Sequence, residues 1–377
     1  MTRIKIVLVA AARPNFMKVA PIIKELKKFP DKFNSILVHT GQHYDYAMSR
    51  AFFEQLNIPA PNIDLEVGSG THAEQSGKVM IKFEQFLIKE RPDIVIVVGD
   101  VNSTMACAIA AKKMKILVAH VEAGLRSFDR NMPEEINRLL TDSIADILYT
   151  PSEDADKQLI KEGIEQKKII HVGNIMIDTL HTQKSIADAS RYYEKLGLNK
   201  SLYALVTLHR PGNVDVKETF TRIMDVLLEV SKTTTIIFPM HPRTRKLIQS
   251  YNMAAMLSFD KIIPSCINAI NPIGYNEMLN LTLNARLVLT DSGGLQEETT
   301  ALGIPCLTLR ENTERPVTVT VGSNVIVGTD PQLILTTYEQ IMSGVYKQSS
   351  VPRYWDGRTA ARIVQHLDKY FSNGRNQ

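Results

Sequence analysis

Short runs of apolar, largely β-branched residues alternate with amphipathic segments along almost the whole chain. The runs of the first half span residues 4–9, 35–39, 94–98, 116–120, 147–149 and 169–172. Helical periodicity lies between them, for example at residues 16–28, 73–90 and 103–113. Continuous apolar runs are typical of strands buried on both faces, and their alternation with helices is typical of a parallel, doubly wound sheet. The pattern therefore predicts the α/β class.

The same rhythm starts again after a polar helical stretch at residues 177–196. The second series of runs spans residues 203–208, 234–240, 286–289, 304–309 and 324–327, with helical segments at 217–231 and 336–343. A chain of 377 residues is also too long for one ordinary core. We therefore expect two Rossmann-like domains facing a cleft, over residues 1–175 and 176–356. A final helix at 357–372 is expected to pack back on the first domain.

Composition excludes several classes of function. Hydrophobic residues make up 44% of the chain, and its formal net charge of +4 is too small to indicate a nucleic-acid partner. Cys107, Cys266 and Cys306 lie in apolar contexts without metal-binding spacing, as core residues of a reducing compartment do. There is no signal-peptide layout and no apolar run long enough to span a bilayer. We expect a cytoplasmic enzyme without a metal or a membrane partner.

Two apolar runs end directly in carboxylates. One leads into Gly99 and Asp100, and the next leads into the segment HVEAGLR, which carries Glu122. The following predicted helix, which starts in the segment MPEEINR, adds Glu134 and Arg138. The carboxyl ends of parallel strands line the ligand crevice of an open α/β sheet. Three acids delivered there predict acid/base chemistry, although a single acid at a strand end is as often a helix cap or a surface charge.

A junction in the second half is suited to phosphate. An apolar run there ends in DSGG, so that Ser292, Gly293 and Gly294 precede a predicted helix that starts directly after the glycines. Glycines let a backbone approach a ligand closely, and a helix N-terminus attracts anions. Glu297 and Glu298 are expected in the first turn, where one caps the helix and one accepts bonds from ribose hydroxyls. The alternative is a plain capped turn.

Other strand ends supply cations. Arg13 and Lys18 open the first predicted helix of the chain, and Arg315 follows another apolar run. His209 ends the first strand of the second series, where a histidine is a candidate general acid or a ligand of the leaving group. The first strand–helix junction reads AAARP, without the GxGxxG fingerprint, and no Walker A motif is present. We therefore expect no dinucleotide cofactor.

These segments together resemble the non-hydrolysing UDP-N-acetylglucosamine 2-epimerases. The matching segments are GD (99–100), HVEAGLR (120–126), PEEINR (133–138), LHR (208–210), DSGGLQEE (291–298) and TERP (313–316). They occur in the family's order and cover nearly the whole chain. The resemblance implies a GT-B-like pair of Rossmann domains, the second binding the nucleotide sugar, in a homodimer without nicotinamide. It also implies reversible C2 epimerisation of UDP-GlcNAc to UDP-ManNAc, which supplies ManNAc-type precursors for surface polysaccharide.

The candidate site residues form three sets. By the resemblance, the positions important for catalysis are Asp100, Glu122, Glu134, Arg138 and His209. The resemblance and the phosphate argument together give the substrate contacts Arg13, Lys18, Ser292, Gly293, Gly294, Glu298 and Arg315. Parts of an activating second UDP-GlcNAc site match Gln42, His43, Arg210 and His241. The chain departs from some members at Ile273 and Met278, where Gln and Phe occur, so a uracil contact through a Gln side chain is missing here.

The chemistry favours an elimination. No adjacent carbonyl acidifies the C2 proton of an N-acetylhexosamine, so UDP is expected to leave C1 as C2 loses its proton, giving 2-acetamidoglucal, and then to add back. Sequence alone does not assign an acid to each face of C2. Four alternatives stay open: a hydrolysing epimerase, an epimerase of a modified UDP-N-acetylhexosamine, a GT-B glycosyltransferase and a nucleotide-sugar-binding regulator. Arg13, Lys18 and Arg126 would tolerate an acidic sugar.

Overall fold

The chain folds into two compact units, each built on one parallel sheet. The structure is a computed structural model that describes residues 3–41, 60–259 and 261–374. One unit comprises Met1–Leu180 and Arg353–Gln377, and the other comprises His181–Pro352. Each contains a seven-stranded sheet, and all strand pairs described in both sheets are parallel. The predicted α/β class is confirmed.

The sheet of the first unit reverses its strand order near its centre. Its strands are β1 (Ile4–Ala10), β2 (Phe33–His39), β3 (Ile63–Asp64), β4 (Ile94–Val98), β5 (Leu117–Val121), β6 (Ile147–Thr150) and β7 (Ile169–His171). They lie in the order β3-β2-β1-β4-β5-β6-β7. Every residue of β4 is buried, as its unbroken β-branched sequence predicts. The order reverses between β1 and β4, which makes the ends of these strands the expected ligand position.

Helices connect these strands. They are α1 (Arg13–Leu26), α2 (His72–Glu90), α3 (Asn102–Lys113), α4 (Pro133–Ile144), α5 (Glu153–Lys161) and α6 (Ile175–Ala189), with a 3-10 turn at Gln166–Lys168. Local signals set several of their starts. Thr71 and Glu74 form a capping box at the start of α2. Proline stands in the first turn of α1 and of α4, where its missing N–H costs nothing.

The sheet of the second unit has the same plan. Its strands are β8 (Tyr203–Thr207), β9 (Thr235–Pro239), β10 (Leu257–Ser258), β11 (Ile267–Ile270), β12 (Leu287–Thr290), β13 (Cys306–Thr308) and β14 (Asn324–Ile326). They lie in the order β10-β11-β9-β8-β12-β13-β14. The order reverses between β8 and β12, so the segments that follow these two strands meet at the switch point of this sheet.

The remaining helices complete the chain. They are α7 (Tyr192–Lys195), α8 (Pro211–Val214), α9 (Lys217–Ser231), α10 (Pro242–Ser250), α11 (Tyr275–Asn284), α12 (Gly293–Leu302), α13 (Pro316–Thr320), α14 (Pro331–Met342) and α15 (Thr359–Gly374), with a 3-10 turn at Ala254–Met256. The last helix, α15, belongs to the first unit and packs against α1. Asp178 holds its start by accepting the amides of Thr359 at 3.0 Å and Ala360 at 2.8 Å.

The apolar pattern missed three strands and merged two helices. The strands β3 and β10 have only two residues each, and β11 carries a polar residue, Asn268, inside the sheet. The stretch 177–196, predicted as continuous helix, is broken between α6 and α7. Arg191 adopts a φ of 47° there, a left-handed conformation that a helix cannot continue through.

Within the described ranges, no helix is both long and apolar enough to cross a membrane. The same residues contain no group of three or more His, Cys, Asp or Glu that could hold a metal ion. Cys107 and Cys306 are buried, and Cys266 is partly exposed.

Candidate active site

In the first unit, two of the predicted acids lie at the sheet edge where β4 and β5 end. The chain leaves β4 through Gly99, which has a φ of 67°, and reaches Asp100. It leaves β5 through Glu122, whose φ of 73° is uncommon for a residue with a side chain. The Glu122 amide donates to the Tyr149 carbonyl oxygen at 3.1 Å. The fold therefore holds Glu122 in a strained conformation, as happens at functional sites.

Glu122 forms a buried ion pair with Lys18, which reaches it from α1. The two groups are 2.5 Å apart, from Lys18 Nζ to Glu122 Oε2, with side chains 9% and 4% exposed. The other oxygen, Oε1, is buried and has no hydrogen-bond partner among the described residues. Gly99 makes room for the pair, since a Cβ there would lie 3.0 Å from Lys18 Nζ. A buried polar atom left without a partner is costly, which marks Oε1 as a position for a ligand.

Asp100 forms an ion pair with Arg138 of α4. Arg138 also donates to Glu135 Oε2, from Nε at 2.9 Å and Nη2 at 2.7 Å. Glu135 in turn accepts the backbone amides of Ser127 at 3.0 Å and Phe128 at 2.9 Å. Burial by itself raises the pKa of the Glu135 carboxyl, but the Ser127 amide and the Arg138 guanidinium bring that pKa below its ordinary value. Glu135 therefore fixes Arg138, and Arg138 fixes Asp100.

Glu134 stands in the first turn of α4 and is partly exposed. It precedes Arg138 by four residues, so the two side chains lie on the same face of the helix. The first turn of a helix favours a carboxylate because the N-terminal amides carry partial positive charge. Glu134 is thus on the helix face that carries the partner of Asp100.

A buried network of hydrogen bonds and ion pairs supports the ends of β4 and β5. His120 of β5 places Nδ1 2.6 Å from Asp142 Oδ1 and Nε2 2.8 Å from the Gly99 carbonyl oxygen. Asp142 also accepts the Gly124 amide at 3.0 Å and Arg126 Nη1 at 2.7 Å. Burial alone raises the pKa of Asp142, but His120 and Arg126 lower it below its ordinary value. The network ties the ends of β4 and β5 to α4.

In the second unit, the ends of β8 and β12 bring His209 and Asp291 together. His209 Nδ1 lies 2.9 Å from Asp291 Oδ1. The Asp291 carboxylate also accepts the backbone amides of His209 at 3.0 Å and Arg210 at 2.9 Å, and Asn213 Nδ2 at 3.2 Å. Burial alone raises the pKa of Asp291, but its bonds with His209 and the Arg210 amide bring it below the ordinary value. The Asp291 side chain is fully buried, whereas that of His209 is 49% exposed.

The helix after DSGG starts earlier than predicted. Ser292 is the residue before the first turn of α12, and Gly293 and Gly294 are its first two helical residues. The predicted start directly after the glycines is therefore wrong, and so is the expectation that Glu297 or Glu298 caps the first turn. Both glutamates are buried one turn further on. The Ser292 side chain caps no amide of the helix, and α12 keeps the features that favour an anion at its start.

Arg315 lies over the first turn of α12. It pairs with Glu297, from Nε to Oε1 at 2.7 Å, and with Glu314. A Cβ at Gly293 would collide with the Arg315 guanidinium and with Glu314. Glycine at this position therefore admits the guanidinium to the helix N-terminus, next to Ser292. The sequence predicted Arg315 and Ser292 as phosphate or sugar contacts.

Glu298 is buried in the same helix and accepts a hydrogen bond from the Tyr275 hydroxyl at 2.9 Å. Its burial, reinforced by the neighbouring charge of Glu297 and opposed by the Tyr275 bond, raises its pKa to about 7. Glu298 therefore holds a proton more tightly than an ordinary glutamate. Tyr275 begins α11 and lies between Ile273 and Met278, the two positions at which the chain departs from some family members.

Five further candidates complete the predicted set. Gln42 and His43 lie outside the described residues, and only the backbone of Arg13, at the start of α1, is described. His241 precedes α10 and accepts the amide of Arg243 at 3.2 Å. Arg210 follows His209, and its Nε is buried without a hydrogen-bond partner in the described part of the chain. The activating site remains a prediction.

The sequence missed the residues that hold the site in place. The side chains of Asp291, Glu135 and Tyr275 each contact a predicted site residue, yet none of these side chains was assigned a role. Asp291 carried one usable signal, because it stands at a strand end beside Ser292. Glu135 adjoins Glu134, and sequence alone gives no reason to separate the two. The roles of the predicted catalytic residues remain predictions.

Comparison with known proteins identifies the family. The family model described as UDP-N-acetylglucosamine 2-epimerase matches residues 24–368. The chain belongs to this family. A UDP-N-acetylglucosamine 2-epimerase from Methanocaldococcus jannaschii is 44% identical over 369 residues, which cover 96% of this chain and 98% of the relative. A UDP-2,3-diacetamido-2,3-dideoxy-D-glucuronate 2-epimerase from Pseudomonas aeruginosa is 39% identical and covers 97% of this chain and 99% of its own length.

Solved structures of relatives have the same fold. The crystal structure of Methanocaldococcus jannaschii UDP-GlcNAc 2-epimerase in complex with UDP-GlcNAc and UDP superposes with a TM-score of 0.85 at 44% identity, covering 97% of this chain and all of that one. The resemblance to the epimerase family and the GT-B-like fold class are thereby confirmed.

Proposed function

We propose that this family member interconverts UDP-GlcNAc and UDP-ManNAc by elimination and re-addition of UDP, without hydrolysis. One observation carries the proposal: the Lys18–Glu122 pair at the end of β5, a buried carboxylate with one oxygen left for a ligand at the sheet edge where α/β enzymes bind substrates. The 44% identity to an enzyme named UDP-N-acetylglucosamine 2-epimerase supports the substrate.

The second unit is suited to the departing diphosphate. UDP must leave C1 as C2 loses its proton, because no neighbouring carbonyl stabilises a C2 carbanion. The amides of Gly293 and Gly294 at the start of α12, the Ser292 hydroxyl and the Arg315 guanidinium are donors for phosphate oxygens. His209 adds a ring nitrogen at the next strand end. Donors fixed in advance stabilise the charge that develops as the bond to UDP breaks.

The first unit is suited to proton transfer. Glu122 Oε1 has no protein partner in the described residues and can accept or return a proton at C2. Epimerisation needs a group for each face of C2. We draw the second group from Asp100 and Glu134, which α4 and Arg138 hold on the same sheet edge. The carboxylates also stabilise the positive charge of an oxocarbenium-like transition state.

Incubation with UDP-GlcNAc in heavy water tests the reaction. Deuterium should appear at C2 of both UDP-GlcNAc and UDP-ManNAc, as judged by NMR and mass spectrometry. Retention of the original hydrogen would overturn the elimination. Free ManNAc with UDP as the only products would assign the hydrolysing reaction instead, and transfer of the sugar to an added acceptor without exchange at C2 would assign a glycosyltransferase.

A modified UDP-N-acetylhexosamine is the second candidate substrate. The 39% identity to a UDP-diacetamido-glucuronate epimerase supports it. The charges weigh against an acidic sugar, because two cations expected to tolerate one are already paired. Lys18 pairs with Glu122. Arg126 pairs with Asp142 and with Glu162, and its Nη2 lies 2.6 Å from Glu162 Oε2. Turnover of UDP-GlcNAc should therefore exceed that of UDP-diacetamido-glucuronate when the two are compared side by side.

We also propose that backbone groups replace the missing Gln side chain at the uracil. Ile273 and Met278 are partly buried and pack against a hydrophobic cluster of the second unit. Their side chains therefore stabilise the unit, and the backbone of residues 271–275, exposed at its start and partly buried beyond it, is left to pair with a uracil edge. UDP-GlcNAc should accordingly be turned over faster than the corresponding cytidine and guanosine diphosphate sugars.

A further inference from the structure

The ring of His209 and the carboxylate of Asp291 form a dyad at the switch point of the second sheet. The Asp291 side chain is 0% exposed and lies 2.9 Å from His209 Nδ1. It accepts the amides of both residues that follow β8, His209 and Arg210. Its two oxygens thus set both the backbone path and the ring orientation of His209.

The contacts of the Asp291 carboxylate determine which ring nitrogen of His209 carries the hydrogen. Asp291 already accepts backbone amides and Asn213 Nδ2, so it acts as an acceptor on every side. Its pKa, lowered below the ordinary value by these donors despite burial, agrees with an ionised carboxylate. An ionised carboxylate can only accept, so His209 Nδ1 must carry the hydrogen of that contact. The proton-exchanging atom of the ring is then Nε2.

We propose that Asp291 is a positioning residue that holds His209 as the Nδ1–H tautomer and presents Nε2 to the diphosphate of the bound nucleotide sugar. This inference rests on the proposed function. In the elimination, the C2–H bond breaks and its proton passes to a carboxylate of the first unit, its electron pair forms the C1=C2 double bond, and the C1–O bond breaks with both electrons passing to UDP. The half-exposed ring of His209 takes a second proton from solvent on Nε2 and shares it with a diphosphate oxygen as UDP leaves. The Asp291 carboxylate balances the charge of the imidazolium, and re-addition reverses these movements.

The variant Asp291→Asn separates this role from backbone support. An Asn side chain can keep one oxygen for the amides of His209 and Arg210 while its NH₂ group faces His209 Nδ1. That NH₂ group can only donate, so the neutral ring must move its hydrogen to Nε2. The fold is retained, and the tautomer is reversed.

Two measurements test the proposal. Nitrogen-15 NMR of histidine-labelled protein, with the His209 signals assigned by their loss in His209→Asn, should show Nδ1–H in the neutral ring of the wild type and Nε2–H in Asp291→Asn. Turnover of UDP-GlcNAc should fall by about a hundredfold or more in Asp291→Asn. The double variant, with both Asp291→Asn and His209→Asn, should turn over UDP-GlcNAc at a rate within about threefold of His209→Asn alone. The reason is that Asp291 acts through a ring that is already absent.

Thr308→Val is the matched control. Thr308 is buried in the same sheet and donates to Asn324 Oδ1 at 2.6 Å, so the variant loses one buried hydrogen bond without touching the dyad. It should leave the His209 tautomer and turnover unchanged. The proposal would be overturned if turnover in the double variant fell by the product of the two single-variant losses. It would also be overturned by an Nε2–H tautomer in the wild type. The tautomer measurement on the wild-type protein tests the proposal even if a variant fails to fold. Absence of epimerisation by the wild type would refute the proposed function and leave the tautomer result standing.

Discussion

The two sheet edges place their acids and the partners of these acids in opposite ways. In the first unit, acids at strand ends are paired with cations that come from helices, Lys18 for Glu122 and Arg138 for Asp100. In the second unit, the histidine His209 stands at the strand end and a buried acid holds its ring. An acid with an open oxygen suits proton transfer. A fixed imidazole beside a helix N-terminus suits an anion. For the proposed elimination, the acids of the first unit suit proton transfer and the donors of the second unit suit the departing diphosphate.

Two buried glutamates show the same contrast. Glu135 receives the Arg138 guanidinium and backbone amides, and its pKa is below the ordinary value despite burial. Burial and the charge of Glu297 raise the pKa of Glu298 to about 7, although Glu298 accepts a hydrogen bond from the Tyr275 hydroxyl. Burial alone therefore does not decide the protonation of a carboxyl group. The partner provided by the fold decides it.

The largest effect is expected from the acids of the first unit. Glu122→Gln and Asp100→Asn each remove a charge and keep the volume, so turnover should fall by about a hundredfold to ten-thousandfold. Affinity for UDP should change little, since its proposed contacts lie in the second unit. Stopped assays of UDP-ManNAc formation measure turnover, and calorimetry measures the affinity for UDP. Glu90→Gln, on a surface pair with Lys5, is the control. Near-normal turnover would assign the substituted acid a structural role.

The next effect concerns the stability of the first unit. Arg138→Met leaves the buried Glu135 with its backbone donors but without its cation. Removing one partner of a buried pair should lower the free energy of unfolding by about 3 kcal/mol. Urea denaturation measures it. Lys28→Met, which breaks an exposed pair with Glu25, should cost less than about 0.5 kcal/mol. A similar small loss for Arg138→Met would show that Glu135 does not depend on its cation.

A pH effect sharpens the contrast between Glu298 and Glu135. The pKa of Glu298 rises from 4.5 to about 7 on folding, so between these values the folded state keeps a proton that the unfolded state has lost. Raising the pH through this window should lower stability by about 3 kcal/mol through this group, at about 1.4 kcal/mol per pKa unit. Urea denaturation from pH 4.5 to 8 should show a flatter profile for Glu298→Gln than for the wild type. Parallel profiles would refute the raised pKa.

The smallest effect is expected at the anion contacts of the second unit. Arg315→Ala and Ser292→Ala should each weaken UDP binding, by about tenfold for the guanidinium and less for the hydroxyl. Arg315 gives a modest loss because Glu297 and Glu314 already balance its charge. Calorimetric titration with UDP checks this, with Thr308→Val as the control. Unchanged affinity in both variants would reduce the DSGG junction to a capped turn.

Local sequence patterns determined much of this protein. Unbroken β-branched runs located the strands of both sheets except β3, β10 and β11, and strand–helix alternation predicted their parallel arrangement. Because parallel strands place their carboxyl ends at one edge, the residues that follow them, Asp100, Glu122, His209 and Ser292, could be selected from the sequence. The resemblance to the epimerases then gave the family, since its motifs lie in order along the chain.

Only the tertiary structure decided how these residues are paired. Lys18 and Glu122 are 104 positions apart, and His209 and Asp291 are 82 positions apart. Periodicity records which side of an element is buried. It carries no information on which helix supplies the counter-ion of a strand-end acid, or which of two adjacent glutamates points inward. Strand order and helix packing fix those partners, and the partners fix the charge of each buried group.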